Sequence, residues 1–233
     1  MSAEGLVKEL VLLNGGIAAR IQCDPASIPK PGQYLLAYAD GANHPLAEPV
    51  FSARPFADGF LAAPPLPTSW ILGTSLHLRG PLGNGFILPG AARRVALVVF
   101  GPQQMGAADS PARVLSLLDL ALEQEASLIL VCQTLPDDLP LHVEVQPLSA
   151  LLDACDWADY IAIEARREYL PELRKTLGKR SQLMAGKKAQ ILICAPMPCG
   201  ILAECGVCAV ESRRGLLLAC RDGPVFDLKD FLG

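Results

Sequence analysis

The sequence predicts three units in chain order: an N-terminal antiparallel β-barrel, a parallel α/β domain and a small cysteine-rich C-terminal domain. Short apolar segments separated by turn residues recur over residues 6–88, which is typical of a small barrel. Strand-like and helix-like segments alternate over 94–194, which indicates a parallel sheet. Five of the eight cysteines then lie between Cys194 and Cys220, counting both ends. The predicted boundaries of the three units are 1–92, 93–195 and 196–233.

The composition excludes several classes of protein. The chain has 233 residues, of which 51% are hydrophobic, so it is long and apolar enough for two domains with a small appendage. No apolar run approaches the ~20 residues of a membrane span, and residues 1–5 lack the basic start of a signal peptide. The net charge is −4 without a basic run, which argues against nucleic acid as a partner. We therefore expect a cytoplasmic protein with no membrane partner, and a homo-oligomer stays open.

The first two strands of the barrel are the clearest. Residues 6–13 and 17–23 are apolar runs on either side of Asn14-Gly15, a dipeptide that favours the tight turn of a hairpin. A loop that is bounded by prolines follows at 25–31. The remaining strands of the barrel are predicted at 33–39, 49–53, 59–63 and 74–79.

The α/β domain begins with a continuous apolar strand at 94–100. The next element is predicted to be a helix over 111–125, because leucines recur on one face, Ser110 is a good N-cap and Pro111 suits the first helical position. Further strands are predicted at 128–132, 143–145, 160–164 and 189–194, and further helices at 148–154 and 168–177.

The cysteines of the C-terminal unit have the spacing C-x5-C-x2-C-x11-C. These residues are Cys199, Cys205, Cys208 and Cys220. Three close thiolates with a distant fourth are typical of a plant-type [2Fe–2S] cluster, in which two irons each need two thiolates. A zinc site with four cysteine ligands stays open, although only Cys205 and Cys208 form the C-x2-C knuckle that zinc sites usually pair. Cys23, Cys132 and Cys155 lie among apolar neighbours and are predicted to be core residues.

Four segments carry a resemblance to a known family. The segments at 197–208 and at 220–226, the latter reading Cys-Arg-Asp-Gly-Pro-Val-Phe, are similar to the C-terminal cluster domain of the dihydroorotate dehydrogenase electron transfer subunit. The loop Gly80-Pro81-Leu82-Gly83-Asn84 resembles the one that ends the flavin-binding barrel of that family, and 30–34 resembles the entry to a barrel strand. The family belongs to the ferredoxin–NADP reductase-like flavoproteins. The resemblance covers nearly the whole chain, and it implies a six-stranded flavin-binding barrel, a NAD-binding-like α/β domain and a [2Fe–2S] domain.

The flavin site implied by the resemblance departs from the family pattern. The family has an Arg-x-x-Ser stretch whose arginine meets the FAD pyrophosphate and whose hydroxyl meets the flavin ring. Here Glu48 stands where the arginine is expected, ahead of Ser52, and a carboxylate repels a pyrophosphate that an arginine would bind. Arg54 and the loop at 80–84 are the candidate cofactor contacts, although Arg54 could equally be a solvated strand-end residue. The phosphate-binding hairpin of the family is also shortened, so we expect FAD to bind weakly, if it binds at all.

The site for a nicotinamide nucleotide is degraded in a similar way. In the family, the first strand–helix turn of the α/β domain is rich in glycine, and here only Gly101 and Gly106 remain as candidate contacts. Asp109 precedes the helix and competes with a phosphate there. These departures argue against NAD(H) binding. The segment at 194–196 resembles the family's Cys-Gly-Pro at the nicotinamide edge, and Cys194 is predicted to be a buried strand residue, with a pocket remnant or a fifth thiol near the cluster as alternatives.

We therefore expect one-electron transfer through a [2Fe–2S] cluster, as an electron-transfer subunit that works with a partner oxidoreductase. One alternative is a complete NAD(P)H-dependent FAD/[2Fe–2S] reductase, and another is a non-redox subunit that holds zinc. The cluster is expected near the surface, beside apolar residues that either a partner or the α/β sheet covers. These residues are Met197, Pro198, Ile201, Leu202, Phe226 and Phe231.

Overall fold

The first part of the chain folds into a closed antiparallel barrel. The computed structural model describes residues 2–39, 46–101, 112–136, 139–178, 186–199 and 201–232. The barrel strands are β1 (Ser2–Leu13), β2 (Gly16–Cys23), β3 (Tyr34–Ala39), β4 (Glu48–Phe56), β5 (Gly59–Ala62) and β6 (Ser75–Leu82). They close in the order β1-β2-β5-β4-β3-β6. Inward-facing apolar side chains, among them Val7, Ile21, Leu35 and Phe60, fill the interior and exclude water from it.

The β1–β2 hairpin confirms the turn that the sequence predicts. Asn14 and Gly15 have φ values of +51° and +78°, and Leu13 pairs with Gly16 across the turn. Positive φ at both central residues is the backbone of a type I′ turn, which asparagine and glycine adopt most readily. Strands β4 and β6 run three residues past their predicted ends, because β5 and β3 continue to pair with them as far as Phe56 and Leu82.

The second part of the chain is a mixed sheet that is parallel except at one edge. Its parallel strands are β7 (Arg94–Phe100), β8 (Ser127–Val131), β9 (Glu144–Gln146), β10 (Tyr160–Arg166) and β11 (Lys188–Cys194). A small hairpin of β12 (Ala209–Ser212) and β13 (Gly215–Leu218) follows, and then β14 (Val225–Asp227). The sheet order is β14-β11-β10-β7-β8-β9, with β14 antiparallel to β11. The predicted combination of a six-stranded antiparallel barrel and a parallel α/β sheet is therefore confirmed.

The prediction of one continuous helix over 111–125 is wrong, because two short helices take its place in the described chain. The helices of the described chain are α1 (Ala112–Leu115), α2 (Leu118–Glu123), α3 (Leu151–Trp157), α4 (Leu170–Gly178) and α5 (Ala219–Asp222). Between α1 and α2 the Leu117 N–H donates to the carbonyl of Val114, and the Ser116 hydroxyl donates to that of Arg113. Such bonds over three residues tighten the turn and interrupt the α-helical ladder. The predicted cap at Ser110 and Pro111 lies outside the described residues.

The C-terminal tail returns to the sheet, which the sequence does not predict. Strand β14 pairs with β11, placing Ile191 opposite Phe226, and the tail then packs Phe226 edge-on against Phe231. The predicted boundary at residue 196 stays a prediction, although three residues beyond it belong to the sheet. None of the helices in the described part of the chain is long and apolar enough to cross a membrane.

Gly59→Ala is expected to destabilise the barrel by about 3 kcal/mol, because the added Cβ would lie 2.0 Å from the carbonyl oxygen of Ile21. Gly15→Ala is the matched control. Its φ is also positive, but nothing lies within 4 Å of its Cβ, so the expected cost is about 1 kcal/mol of backbone strain. Urea unfolding followed by circular dichroism measures both free energies, and equal losses would contradict the close strand contact at Gly59.

Candidate functional site

The four C-terminal cysteines meet in space. The Cys199 thiol is in hydrogen-bonding contact with the Cys205 thiol, and the Cys220 thiol contacts both Cys208 and Cys199. The contacts therefore run in the order Cys205, Cys199, Cys220, Cys208. Cys208 and Cys220 are buried, Cys199 is half-buried and Cys205 is exposed. The group thus extends from the interior to the surface, with Cys205 at its outer end.

The β12–β13 hairpin explains why eleven residues separate the last two cysteines. Cys208 directly precedes β12, and Cys220 lies in α5 directly after β13. The hairpin pairs Ala209 with Leu218, and the Ala219 N–H donates to the Cys208 carbonyl at 3.1 Å. The two cysteines are consequently brought together by antiparallel pairing.

The loop after Cys199 has a strained backbone that directs N–H groups to sulfur. Ile201 and Ala203 have φ values of +69° and +59°, a region that costs about 1–2 kcal/mol for each residue with a side chain. This alternation makes a concave row of N–H groups of the kind that binds anions and iron–sulfur clusters. The backbone N–H groups of Ile201, Leu202 and Ala203 face the Cys199 sulfur closely enough to lower its pKa, and the Leu202 N–H also donates to the Cys199 carbonyl at 3.2 Å. Strain of this kind persists where the surroundings require a particular backbone.

The charge state of Cys199 follows from these contacts. Burial acts to raise the pKa of the Cys199 thiol, but the hydrogen bond from the Cys205 thiol and those from three backbone N–H groups together lower it to about 7. Burial raises the pKa of Cys220 to about 12, and its contacts with Cys208 and Cys199 add to that rise. Close thiols resist simultaneous ionisation, because the first negative charge disfavours the next. A cation among the four would remove that penalty.

The barrel contacts one side of the segment 199–223, which is called the cysteine segment below. The Tyr34 hydroxyl, fully buried, donates to the Cys220 carbonyl at 2.9 Å. The Asn84 side-chain amide donates to the Asp222 carbonyl at 2.8 Å, and the Asn84 backbone N–H donates to the Gly223 carbonyl at 2.6 Å. A Cβ at Gly83 would lie 2.7 Å from the same Gly223 carbonyl oxygen. The loop predicted to contact flavin, Gly80-Pro81-Leu82-Gly83-Asn84, thus contacts the cysteine segment through its last two residues.

The α/β domain holds the segment from the other side. The Arg167 guanidinium, just after β10, donates to the carbonyls of Val207 and Ala209, which flank Cys208. The Arg174 guanidinium from α4 donates to the Glu211 carbonyl. These bonds fix the main chain around Cys208, so its position is set by helix and strand ends rather than by the loop alone.

A second cluster of functional side chains lies where the barrel meets the carboxyl ends of β10 and β11. The Arg113 guanidinium lies 4.6 Å from the centroid of the Phe51 ring, and its Nη1 donates to the Cys194 sulfur at 2.7 Å. The Cys194 thiol is 3.5 Å from Glu164 Oε1, and the Val114 N–H donates to Glu164 Oε2 at 2.9 Å. Burial raises the pKa of Cys194 to about 12, which Arg113 opposes and Glu164 reinforces. Cys194 is therefore a neutral, half-exposed thiol at the end of β11.

The remaining predicted cofactor residues are placed as follows. Arg54 forms a 3.9 Å ion pair with Asp119 of α2, and both side chains are more than half exposed. Gly101, at the end of β7, has a φ of +116°, and a Cβ there would lie 2.5 Å from the Tyr169 ring. Gly106 lies outside the described residues. Gly101 is therefore covered by Tyr169, and Arg54 is partnered by a carboxylate.

The apolar residues predicted beside the cysteines are expected to be covered either by the α/β sheet or by a partner. Some of them are buried in the protein and others are exposed. Met197, Phe226 and Phe231 are buried, so packing against the sheet is correct for them. Ile201 is half-buried and packs against the same core as Met197. Leu202 is 68% exposed.

The described residues contain no group of three or more His, Cys, Asp or Glu side chains arranged so that it could hold a metal ion. The thiols contact one another as successive pairs instead.

Three functional residues carry little signal in the sequence. Tyr34 belongs to a segment that resembles a barrel entry, and nothing there indicates a hydrogen bond to residue 220. Arg113 lies in a helix and Glu164 in a strand, and neither sequence carries a functional motif. Only the meeting of barrel and sheet brings them to Phe51 and Cys194.

No protein-family model matches the sequence. Among solved structures, the chain is similar to an NADH-dependent reduced ferredoxin–NADP oxidoreductase described for flavin-based electron bifurcation, with 15% identity and a TM-score of 0.67 over 97% of this chain and 88% of that one. It is also similar to the ferredoxin reductase of carbazole 1,9a-dioxygenase, with 15% identity and a TM-score of 0.60 over 83% and 69% of the two chains. A third similar structure is the Amycolatopsis cytochrome P450 reductase, with 12% identity and a TM-score of 0.55 over 83% of this chain and 69% of that one.

These similarities show the fold, which is that of the ferredoxin–NADP reductase-like flavoproteins. Identities of 12–15% bear on the fold alone, so electron transfer stays a prediction. The narrower likeness to the dihydroorotate dehydrogenase subunit, and the cluster that it implies, stay predictions.

In metal-free protein at pH 7, Cys199 is expected to react with iodoacetamide far faster than Cys155. About half of a thiol with a pKa of about 7 is thiolate at that pH, whereas burial raises the pKa of Cys155 to about 12. The Cys199 rate should rise with pH and level off above about pH 8, once the thiol is ionised. Mass-spectrometric peptide mapping after timed alkylation measures both rates. Similar rates at the two cysteines would contradict the hydrogen bonding at Cys199.

Proposed function

We propose that the chain transfers single electrons through a [2Fe–2S] cluster held by four cysteines, in the service of a partner oxidoreductase. The ligands are Cys199, Cys205, Cys208 and Cys220. The observation that carries the proposal is the arrangement at Cys199, where three backbone N–H groups and a neighbouring thiol converge on one sulfur. Hydrogen bonds to ligand sulfur stabilise the negative charge of such a cluster and adjust its reduction potential.

The spacing of the cysteines favours two irons over one zinc. Two irons need two thiolates each, and here three thiolates come from one loop and the fourth from a returning segment, with all four in one series of contacts. A structural zinc would need four sulfurs about 2.3 Å from a single point, usually offered by two C-x2-C knuckles. The thiolate set suits the soft metal ions of either site, so zinc remains the alternative that metal analysis must exclude.

The chain's own residues would control access to the cluster. Cys208 and Cys220 are 1% and 2% exposed, and Tyr34 and Met197 close the space around them. Cys205 is exposed, so its side of the site is the one from which an electron leaves or enters. The cluster, when bound, supplies a one-electron carrier. The protein around it excludes water from the inner pair and leaves the outer pair within reach of a partner.

The described residues do not fit FAD and a nicotinamide nucleotide in the usual way. Arg113 lies over the Phe51 ring. Tyr169 lies against Gly101. Arg54 is paired with Asp119. A chain without these two cofactors cannot split a hydride into single electrons, so it must receive electrons singly from another protein. One observation favours the alternative of a complete reductase: the Ser52 hydroxyl is buried and, within the described chain, has no hydrogen-bond partner.

Cys205→Ser or Cys208→Ser is expected to abolish the cluster or to reduce its occupancy severely, because a hard oxygen would replace a soft thiolate ligand. Cys155→Ser is the matched control, since that thiol lies in α3 and packs in the core on the other side of the sheet. Iron, sulfide and zinc assays with a visible spectrum of anaerobically purified protein measure the outcome. Normal iron and sulfide in either loop variant would overturn the ligand assignment, and stoichiometric zinc without sulfide would replace the cluster by the zinc site.

Dithionite is expected to bleach the visible spectrum of the isolated protein, whereas NADH alone is not. The reason is that Arg113 already covers the Phe51 ring and Gly101 already lies against Tyr169. A stopped-flow comparison of the two reductants under anaerobic conditions is the measurement. Rapid bleaching by NADH without added flavin or a partner would replace the relay by the complete reductase.

A further inference from the structure

The space between the barrel and the carboxyl ends of β10 and β11 has the properties of a seat for a planar aromatic ring. Ligands of α/β proteins bind at the carboxyl ends of parallel strands, and small-molecule sites favour interfaces between domains. The barrel contributes the Phe51 ring here, backed by Tyr34 at a centroid distance of 5.6 Å. The sheet contributes the thiol of Cys194 and the carboxylate of Glu164. An aromatic face opposite polar groups is the usual composition of a site for a heteroaromatic ring.

The protein's own Arg113 occupies this seat. Its guanidinium is planar and lies over Phe51 at 4.6 Å, within the range of a cation–π contact. The same group donates to the Cys194 sulfur at 2.7 Å, so it spans the distance from the barrel to the sheet. A flat ligand that stacked on Phe51 would have to displace this guanidinium. We infer that Arg113 is an internal plug, which fills a flavin-type ring site and takes over the contacts that a bound ring would make.

The residues beside Arg113 hold it in that position. Glu164 is only 5% exposed, and it accepts the N–H of Val114, the residue that follows the arginine. Glu164 also contacts the Cys194 thiol that receives the Arg113 bond. The start of α1 is therefore fastened to the end of β10, and the guanidinium is fastened to the end of β11. An arginine anchored through both its backbone and its head group is not a freely moving surface residue.

This inference deepens the proposed function, because a plugged ring site explains why the chain would depend on electrons from outside. It concerns a different part of the molecule from the cysteines, however. Its test reads flavin binding rather than cluster content, so either proposal can fail while the other stands.

The experiment titrates riboflavin fluorescence with the wild-type chain and with Arg113→Ala. Riboflavin carries the ring without the pyrophosphate, so the weakened phosphate site has no influence on the result. Arg113→Ala is expected to bind riboflavin at least about tenfold more tightly than the wild type, since no guanidinium has to be displaced. Arg20→Ala is the matched control. It removes a guanidinium 4.3 Å from another barrel ring, that of Phe56, and should leave riboflavin binding unchanged.

A second pair of variants tests where the ring binds. Adding Phe51→Leu to Arg113→Ala should remove the gained affinity, because the stacking face is lost. Arg113→Gln keeps a donor for Cys194 but covers less of Phe51, and it serves in the same assay if the alanine variant does not fold. Tight binding by the wild type, no gain in a folded Arg113 variant, or a gain that survives Phe51→Leu would each overturn the inference.

Discussion

The pairing of β14 with β11 is the constraint on which the cysteine centre depends. It fixes Val225 beside Leu192, and two residues earlier is Gly223, where a Cβ would lie 2.3 Å from the Phe226 ring. Cys220 lies only three residues earlier, so little freedom remains in its position. The barrel then closes on this junction through Asn84, whose backbone bridges to the Gly223 carbonyl. Barrel, sheet and cysteine segment therefore form a single packed unit at this point, and the positions of Cys208 and Cys220 are not set by a loop alone.

The junction of β14 with β11 also determines which of the four cysteines are buried and which lie at the surface. Cys220 and Cys208 lie on the side held by Tyr34 and Arg167, while Cys205 stands at the surface. Desolvation of a charged group is costly unless it is hydrogen-bonded or neutralised, which suits an inner pair bound to metal and an outer pair near solvent. The strain at Ile201 and Ala203 lies in the outer loop, where backbone N–H groups supply the hydrogen bonds that side chains do not. Burial therefore dominates at Cys220, whereas at Cys199 hydrogen bonds outweigh it.

The sequence predicts most of the fold and only part of the site, for physical reasons that can be named. Asn14-Gly15 and the alternating strands carry local signals, because turn geometry and side-chain periodicity are properties of neighbouring residues. The break after Leu115 escapes prediction because leucine periodicity continues through it, and the two bonds that interrupt the helix depend on the local backbone. Strand β14 is three residues long and gains its identity only from β11. Arg113 reaches Phe51 across more than sixty positions of sequence, and no local pattern reports such a contact.

Arg113 at the ring site and Arg54 near the expected phosphate site both make contacts within the protein, and one physical reason accounts for both. A site shaped for a ring and left empty would expose the Phe51 face and leave polar groups of the sheet without partners, and both are costly. Filling it from within removes these costs and joins the barrel to the sheet through one side chain. Arg54 makes a second and weaker connection through Asp119, because both side chains are more than half exposed. Once side chains hold the two domains together, the stability of their interface no longer requires a bound cofactor. The exposed sulfur of Cys205 then remains the part of the molecule through which the chain would exchange electrons with another protein.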